Sequence, residues 1–457
     1  MRPRFRNTSG RRVGFPCRSG GNGALERGLT AGDSRVEIHA GSSSTALNLP
    51  GDQFKMARWC GVLVVLVYFM RGTVLPRYVP VPYAGWILLT GAALALAAGV
   101  AISGGGSWRT AWVIVLPAFG AGLVQAEQFN AAASRWLGLA LLIIALGPVV
   151  RNPVACALRS AAWRLTVRGL TGLTAVFVLW YALRLPNLGV GFFTAFMNQC
   201  MLAGPLAGLG VVIAIARAVR GDPWRWGLLA TLGVIPVLAS GSRLATLATG
   251  IAGVFLLTRR KPALGVTVAL LCMLFAYRFV TKPATEQTGE SVTSALASKG
   301  SANSRTGFWE SRILEFKSSP IVGIGIGVVT GSGSARDGGL VIQVEPGSSY
   351  LAVLAMTGAL GSVAFVIAIG ILVLGFARAA GDQGGDRDVL SGVGVFLAVH
   401  GVAEGWVLAF GSPLCFLFWV WLGGFGDAAL VTTNRRVERG LHALRKVGTS
   451  RPALRPA

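Results

Sequence analysis

The chain is poor in charge, poorer in acid and almost without histidine. Only 13% of its 457 residues are Asp, Glu, Lys or Arg, where a soluble globular chain carries about 25%. Histidine occurs only at His39, His400 and His442, which excludes a His-rich metal centre. The six cysteines form no CxxC pair, which argues against a disulfide framework or a zinc site. The net charge of +24 does not point to nucleic acid, because the basic residues stand in tails and short connections between apolar runs. A nucleic-acid binder would carry them as a stripe on a soluble fold. What is abundant is apolar side chain, 53% of the sequence. That balance describes a polytopic membrane protein.

Residues 1–55 are rich in Arg, Gly and Ser with little apolar periodicity. They are expected to form a disordered basic segment and make a poor signal peptide. Met56 leads directly into the first apolar run, which predicts a translation start near Met56. A span needs about 20 mostly apolar residues. About twelve runs qualify, so an all-α polytopic protein of about twelve transmembrane helices is expected. Residues 56–281 hold nine of them, including runs at 59–76, 135–150, 170–187, 192–216, 243–258 and 262–281. Residues 348–431 hold three, at 348–376, 389–410 and 413–431, and 432–457 form a basic tail.

The basic residues set the orientation. Arg151, Arg159, Arg164 and Arg168 form one cluster. Arg217, Arg220 and Arg225 form the next, and Arg259, Arg260 and Lys261 a third. Arg378 and Arg387 follow, then the tail. With twelve spans all of them fall on one side, expected to be cytoplasmic. Both termini then lie inside, and residues 282–347 lie outside.

Residues 282–347 make up the long polar segment between spans nine and ten. Loops of that length are usually functional or disordered. Arg305, Trp309 and Arg312 fall at i, i+4 and i+7 and share one helix face, with Glu310 beside them and Glu315 one turn on. An amphipathic helix on the bilayer surface, anchored by Trp309 and Phe316, fits the same pattern. The run Gly323-Ile-Gly-Ile-Gly327 lacks a βαβ context, so a tight backbone packed against the bundle is expected rather than a nucleotide loop.

Arg243 opens span eight after Ser240-Gly-Ser242. One expectation is an interfacial arginine snorkelling to headgroups. The other is an anion site. Free N–H groups and the dipole of a helix N-terminus favour negative charge, the serine hydroxyls add donors, and arginine binds phosphate in bidentate fashion. His400 and Glu404 are spaced i, i+4 within span eleven. They are either a structural hydrogen-bonded pair or a functional pair facing the bundle interior.

Three segments resemble the O-antigen ligase and O-antigen polymerase superfamily of bacterial envelope glycosyltransferases. They are Ser240-Gly-Ser-Arg243-Leu-Ala-Thr, then Arg305-Thr-Gly-Phe-Trp309 followed by Pro320-Ile-Val-Gly-Ile-Gly-Ile-Gly327, then Ser348-Ser-Tyr350-Leu-Ala-Val-Leu-Ala-Met-Thr-Gly358. Their order and the long outer loop match the family pattern over about 225–376, while the N-terminal half matches only as generic spans. The resemblance implies a bacterial inner-membrane protein that transfers a glycan from an undecaprenyl-pyrophosphate donor without metal or other cofactor. The acceptor would be a hydroxyl of a glycan, lipid or protein. Arg243 and Arg305 map onto the family's pyrophosphate contacts, with Ser242, Trp309, Arg312 and Tyr350 as further substrate-binding candidates. The family often has His-Asn before the Ser-Tyr-Leu run, where this chain has Gly347-Ser348. Glu345, Glu310, or His400 with Glu404 are therefore the candidates for the catalytic base. Competing expectations are a transporter or flippase of a lipid-linked or anionic substrate, and a non-catalytic polysaccharide assembly protein.

Overall fold

The computed structural model describes residues 51–79, 83–126, 129–189, 192–221, 223–270, 303–327, 347–378 and 386–428. The long helices are α1 (Gly51–Gly72), α3 (Tyr83–Ser103), α4 (Thr110–Gly120), α5 (Phe129–Leu146), α6 (Pro153–Ala182), α7 (Cys200–Ala218), α8 (Pro223–Ala239) and α9 (Arg243–Arg260). A one-turn α2 (Leu75–Tyr78) follows α1, and a 3-10 turn, Ala121–Gln125, follows α4. Later come α10 (Asn303–Ser318), α11 (Ser349–Arg378), α12 (Asp386–His400) and α13 (Pro413–Ala428). Two short strands, β1 (Ser107–Trp108) and β2 (Val150–Arg151), pair antiparallel.

Among the described residues, α1, α3, α5, α6, α7 and α11 are long and apolar enough to cross a membrane. The segments Thr110–Gln125, Trp224–Ala239 and Pro413–Ala428 are shorter apolar helices. The protein is an all-α membrane protein.

The bundle is built around α7, whose apolar window is 83% buried against 28–44% for the other five long apolar helices. Small residues let it sit there. Gly210 approaches Leu170 and Thr174 of α6, Gly204 approaches Ser240 and Ser242, and Gly208 approaches Thr249 of α9 and Phe396 of α12. Membrane helices lack a hydrophobic drive to associate, so close backbone approach at small residues carries much of the packing.

These contacts also fix directions. Thr249 and Phe396 meet at Gly208, while Arg260 reaches Asp388 at 2.9 Å. Helices α9 and α12 therefore run antiparallel. Arg243 and His400 lie at one end of the pair, and Arg260 and Asp388 at the other. Arginines crowd the second end. Asp388 accepts from Arg220 and Arg260 and lies 3.9 Å from Arg259.

Several boundaries differ from the sequence expectation. Helix α1 starts at Gly51, ahead of the expected 59. The run 192–216 splits into an irregular turn and α7. Arg159, Arg164 and Arg168 do not lie in a connection between spans, because α6 takes in all three. The cause is local and tertiary. Asn152 caps α6, its Oδ1 accepting from the Ala155 amide at 2.6 Å, with Pro153 in the first turn. Asn152 Nδ2 also donates to the Ala101 and Gly105 carbonyls at 2.7 Å each, which ties α6 to the end of α3. Arg159 is tolerated inside the helix because Asp427 of α13 meets it.

Candidate functional site

Arg243, His400 and the start of α11 stand at one end of the bundle, and α10 packs on α11. The central device there is a break in α11. Gly358 has φ 61° and ψ −169°, which interrupts the helix. A broken helix leaves backbone groups without intrahelical partners, and inside a membrane each must be satisfied. The segment from Ser319 to Gly327 does so. Ile324 N donates to Ala355 O at 3.0 Å and Gly325 N to Met356 O at 3.1 Å. Ala359 N and Leu360 N donate to Pro320 O and Ile321 O at 2.8 and 3.0 Å. The crossing is thus hydrogen-bonded on both sides of the break, as a tight backbone packed on the bundle. Gly323, Gly325 and Gly327 all have positive φ, which suits glycine. Arg135 of α5 donates to the Gly327 carbonyl, and Ser319 Oγ donates to Gln125 Oε1.

Helix α10 leads into this crossing and carries Trp309, Glu310 and Arg312. Trp309 Nε1 donates to Gly347 O at 3.1 Å, which holds the chain entering α11 against α10. Arg312 and Glu315 form a buried ion pair at 2.6 Å. Burial pulls the Arg312 guanidinium below its ordinary value, and Glu315 opposes that pull. Glu310 is exposed. Arg305 lies on α10 but its side chain falls outside the described residues, as does Glu345.

At the start of α11, Ser349 clamps the chain that follows α12. Its amide donates to Gly401 O at 2.9 Å and its hydroxyl donates to Glu404 O at 2.7 Å. The same hydroxyl oxygen accepts from Trp406 N at 3.1 Å and Val407 N at 3.4 Å. Tyr350 OH donates to Ala398 O at 2.7 Å. Ser349→Ala leaves these buried groups short of partners. It is expected to cost about 1–3 kcal/mol, read as a lower apparent Tm of the purified protein in detergent.

Sequence spacing put His400 and Glu404 on one helical face. The structure separates them, because α12 ends at His400 and Glu404 lies in the irregular segment beyond it. Trp406 Nε1 donates to His400 Nδ1 at 3.0 Å, and His400 stacks on Phe396 with ring centroids 5.6 Å apart. A neutral imidazole that accepts at Nδ1 carries its proton at Nε2, so this ring has no lone pair left for a base. Both side chains are buried.

Arg243 is the first residue of α9 and is exposed. The two serines before it are spent on the turn. Ser240 Oγ donates to Val237 O at 2.6 Å and accepts from Ser242 N at 3.2 Å. Ser242 Oγ caps α9 by accepting from Ala245 N at 3.4 Å. Gly241 makes the bend with φ 67°. Arg243 stands on α9, packed with α7, α8 and α12, whereas Trp309 and Arg312 stand on α10, packed with α11. The connection between the two groups runs through the end of α12 and the start of α11.

Sequence reasoning missed Ser349 as a clamp, Arg135 as a donor to the crossing, and Asp388 and Asp427 as acceptors for arginines. An acid inside an apolar run is a signal for Asp427. Among the described residues no three His, Cys, Asp or Glu side chains converge as a metal site.

Fold and site together define an all-α membrane protein with a broken helix, a surface helix and an arginine at a helix start gathered at one end. Neither the protein-family models nor the curated proteins contain a match to this chain.

Proposed function

We propose that the protein is an O-antigen ligase- or polymerase-like glycosyltransferase of the bacterial inner membrane. It would have about twelve spans, with both termini cytoplasmic. It moves a glycan from an undecaprenyl-pyrophosphate donor to a hydroxyl acceptor on the outer side, in surface polysaccharide biosynthesis. The observation that carries this is Arg243, exposed as the first residue of α9 at the same bundle end as α10, His400 and the α11 break. A cation at a helix N-terminus offers a pyrophosphate both the guanidinium fork and free backbone N–H groups. The arginines crowded at the opposite end support a cytoplasmic assignment for that end.

In the proposed reaction the acceptor oxygen attacks the anomeric carbon of the donor sugar. The bond from that carbon to the pyrophosphate oxygen breaks, and the pyrophosphate leaves with the electron pair. Arg243 and Arg305 neutralise the charge that develops there. The acceptor proton passes to a carboxylate. Glu345 and Glu310 are the carboxylates in question. Glu345 precedes by two residues the Gly347 carbonyl held by Trp309, and Glu310 follows Trp309 directly. The tautomer of His400 argues for a structural part. The buried Arg312–Glu315 pair shapes α10, and Tyr350 joins α11 to α12.

The break in α11 favours a second reading as a transporter of a lipid-linked anion, since transporters build their sites at discontinuous helices. Proteoliposomes separate the two. Loaded with lipid-linked glycan and acceptor membranes from the native cell, the protein is expected to release free undecaprenyl pyrophosphate, detected by mass spectrometry. Movement of intact lipid-linked glycan across the bilayer with no undecaprenyl pyrophosphate released would favour transport.

A further inference from the structure

Among the described residues, the end of the bundle opposite Arg243 holds more arginines than carboxylates. Asp388 is taken up by Arg220, Arg259 and Arg260. Beside it, where α7 ends and α12 begins, lies a second group of guanidiniums. Arg164 is within electrostatic reach of Arg58, Arg168 and Asp386. Arg217 is within reach of Asp386 and Arg168. Among the described residues Asp386 thus answers Arg164 and Arg217, with Arg220 also within its reach, while Arg58 and Arg168 add positive charge beside Arg164. Arg164 and Arg217 are half-buried, so bulk water screens their mutual repulsion incompletely.

Tryptophans of α1 and α8 stand near the same helix ends. The Arg217 guanidinium lies over the Trp226 ring at 4.4 Å. Trp224 is 70% exposed and Trp59, next to Arg58, is 72% exposed. Exposed tryptophans on membrane helices sit at headgroup depth. Basic pockets between membrane helices at that depth bind anionic lipid headgroups.

We propose that Arg58, Arg164, Arg168 and Arg217 form a binding site for the phosphate of an anionic phospholipid, with Trp59, Trp224 and Trp226 against its glycerol and upper acyl region. The guanidiniums bind phosphate oxygens through paired N–H donors. The bound phosphate offsets repulsion that Asp386 alone leaves. The site is independent of the transfer reaction and lies at the other end of the bundle.

The test uses the full-length protein purified in neutral detergent. Native mass spectrometry and apparent Tm are followed while phosphatidylglycerol, phosphatidylcholine or inorganic phosphate is added. Wild type is expected to retain phosphatidylglycerol and to gain Tm with it, and with phosphatidylcholine to do neither. Each arginine near a lipid surface is worth about 1 kcal/mol, or about fivefold in affinity. The combined Arg164→Gln, Arg168→Gln and Arg217→Gln variant should therefore bind on the order of 100-fold more weakly. Exposed Arg168→Gln alone should lose about fivefold, which keeps the test open if the triple variant fails to fold. Arg378→Gln, at the end of α11, should bind as wild type does. Equal retention of both lipids, or unchanged phosphatidylglycerol affinity in Arg168→Gln, would overturn the proposal. So would an equal Tm gain from inorganic phosphate, which would make the site one for free anion.

Discussion

Asp427→Asn is expected to destabilise the protein by about 3–5 kcal/mol, the cost of leaving a buried charge without its partner. Arg159 is 1% exposed and meets Asp427 with both prongs of its fork, Nε to Oδ2 at 2.8 Å and Nη2 to Oδ1 at 2.7 Å. Its remaining nitrogen donates to the Val150 and Gly147 carbonyls at 3.0 and 3.3 Å. Arg109 approaches the same carboxylate at 3.7 Å and donates to Gly426 O. Burial pushes the Arg109 guanidinium down to about 10, and Asp427 opposes that shift. One carboxylate therefore offsets two guanidiniums and joins α6, α13 and the start of α4. The asparagine keeps the shape and removes the charge. Apparent Tm in detergent should fall by several degrees or more, and expression in the membrane should drop. The double variant Arg159→Met, Asp427→Leu removes both charges of the pair and should recover part of the loss. A wild-type Tm for Asp427→Asn would mean that the pair contributes nothing.

Arg243→Ala should do the reverse, sparing the fold and removing activity. The side chain is exposed, and Ser242 rather than Arg243 caps α9. Surface substitutions away from caps and cores usually stay within about 0.5 kcal/mol. Losing one preorganised contact to developing negative charge costs about 10²–10³ in rate. Arg243→Lys keeps the charge but not the bidentate fork, so it should fall between the two. Transfer rate and membrane abundance are measured on the same preparations. An Ala variant that is abundant and as active as wild type would remove Arg243 from the donor site.

The parts legible in the sequence were those that local chemistry decides. Apolar run length gave the membrane class, and Ser-Gly-Ser-Arg marked the start of α9 at Arg243. Glycines alternating with apolar residues marked the tight crossing at Gly323–Gly327, where the structure gives all three a positive φ. The parts that were hidden depend on distant partners. Arg159 reads as a connection residue until Asp427, 268 positions away, is brought beside it. His400 and Glu404 keep helical spacing on paper, but Ser349 draws the Gly401 and Glu404 carbonyls away from a continuing helix. The break at Gly358 stands inside an apolar run whose composition gives no boundary, and backbone groups from Pro320 to Gly325 make it affordable.

The most direct measurement deletes the gene and compares surface glycans and lipid-linked intermediates by mass spectrometry, with wild type or Arg243→Ala returned to the cell. If the protein transfers glycan from a lipid-linked donor, undecaprenyl-linked glycan accumulates, the surface polymer disappears, and only wild type restores it. Unchanged lipid-linked glycan in the deletion strain would contradict glycan transfer.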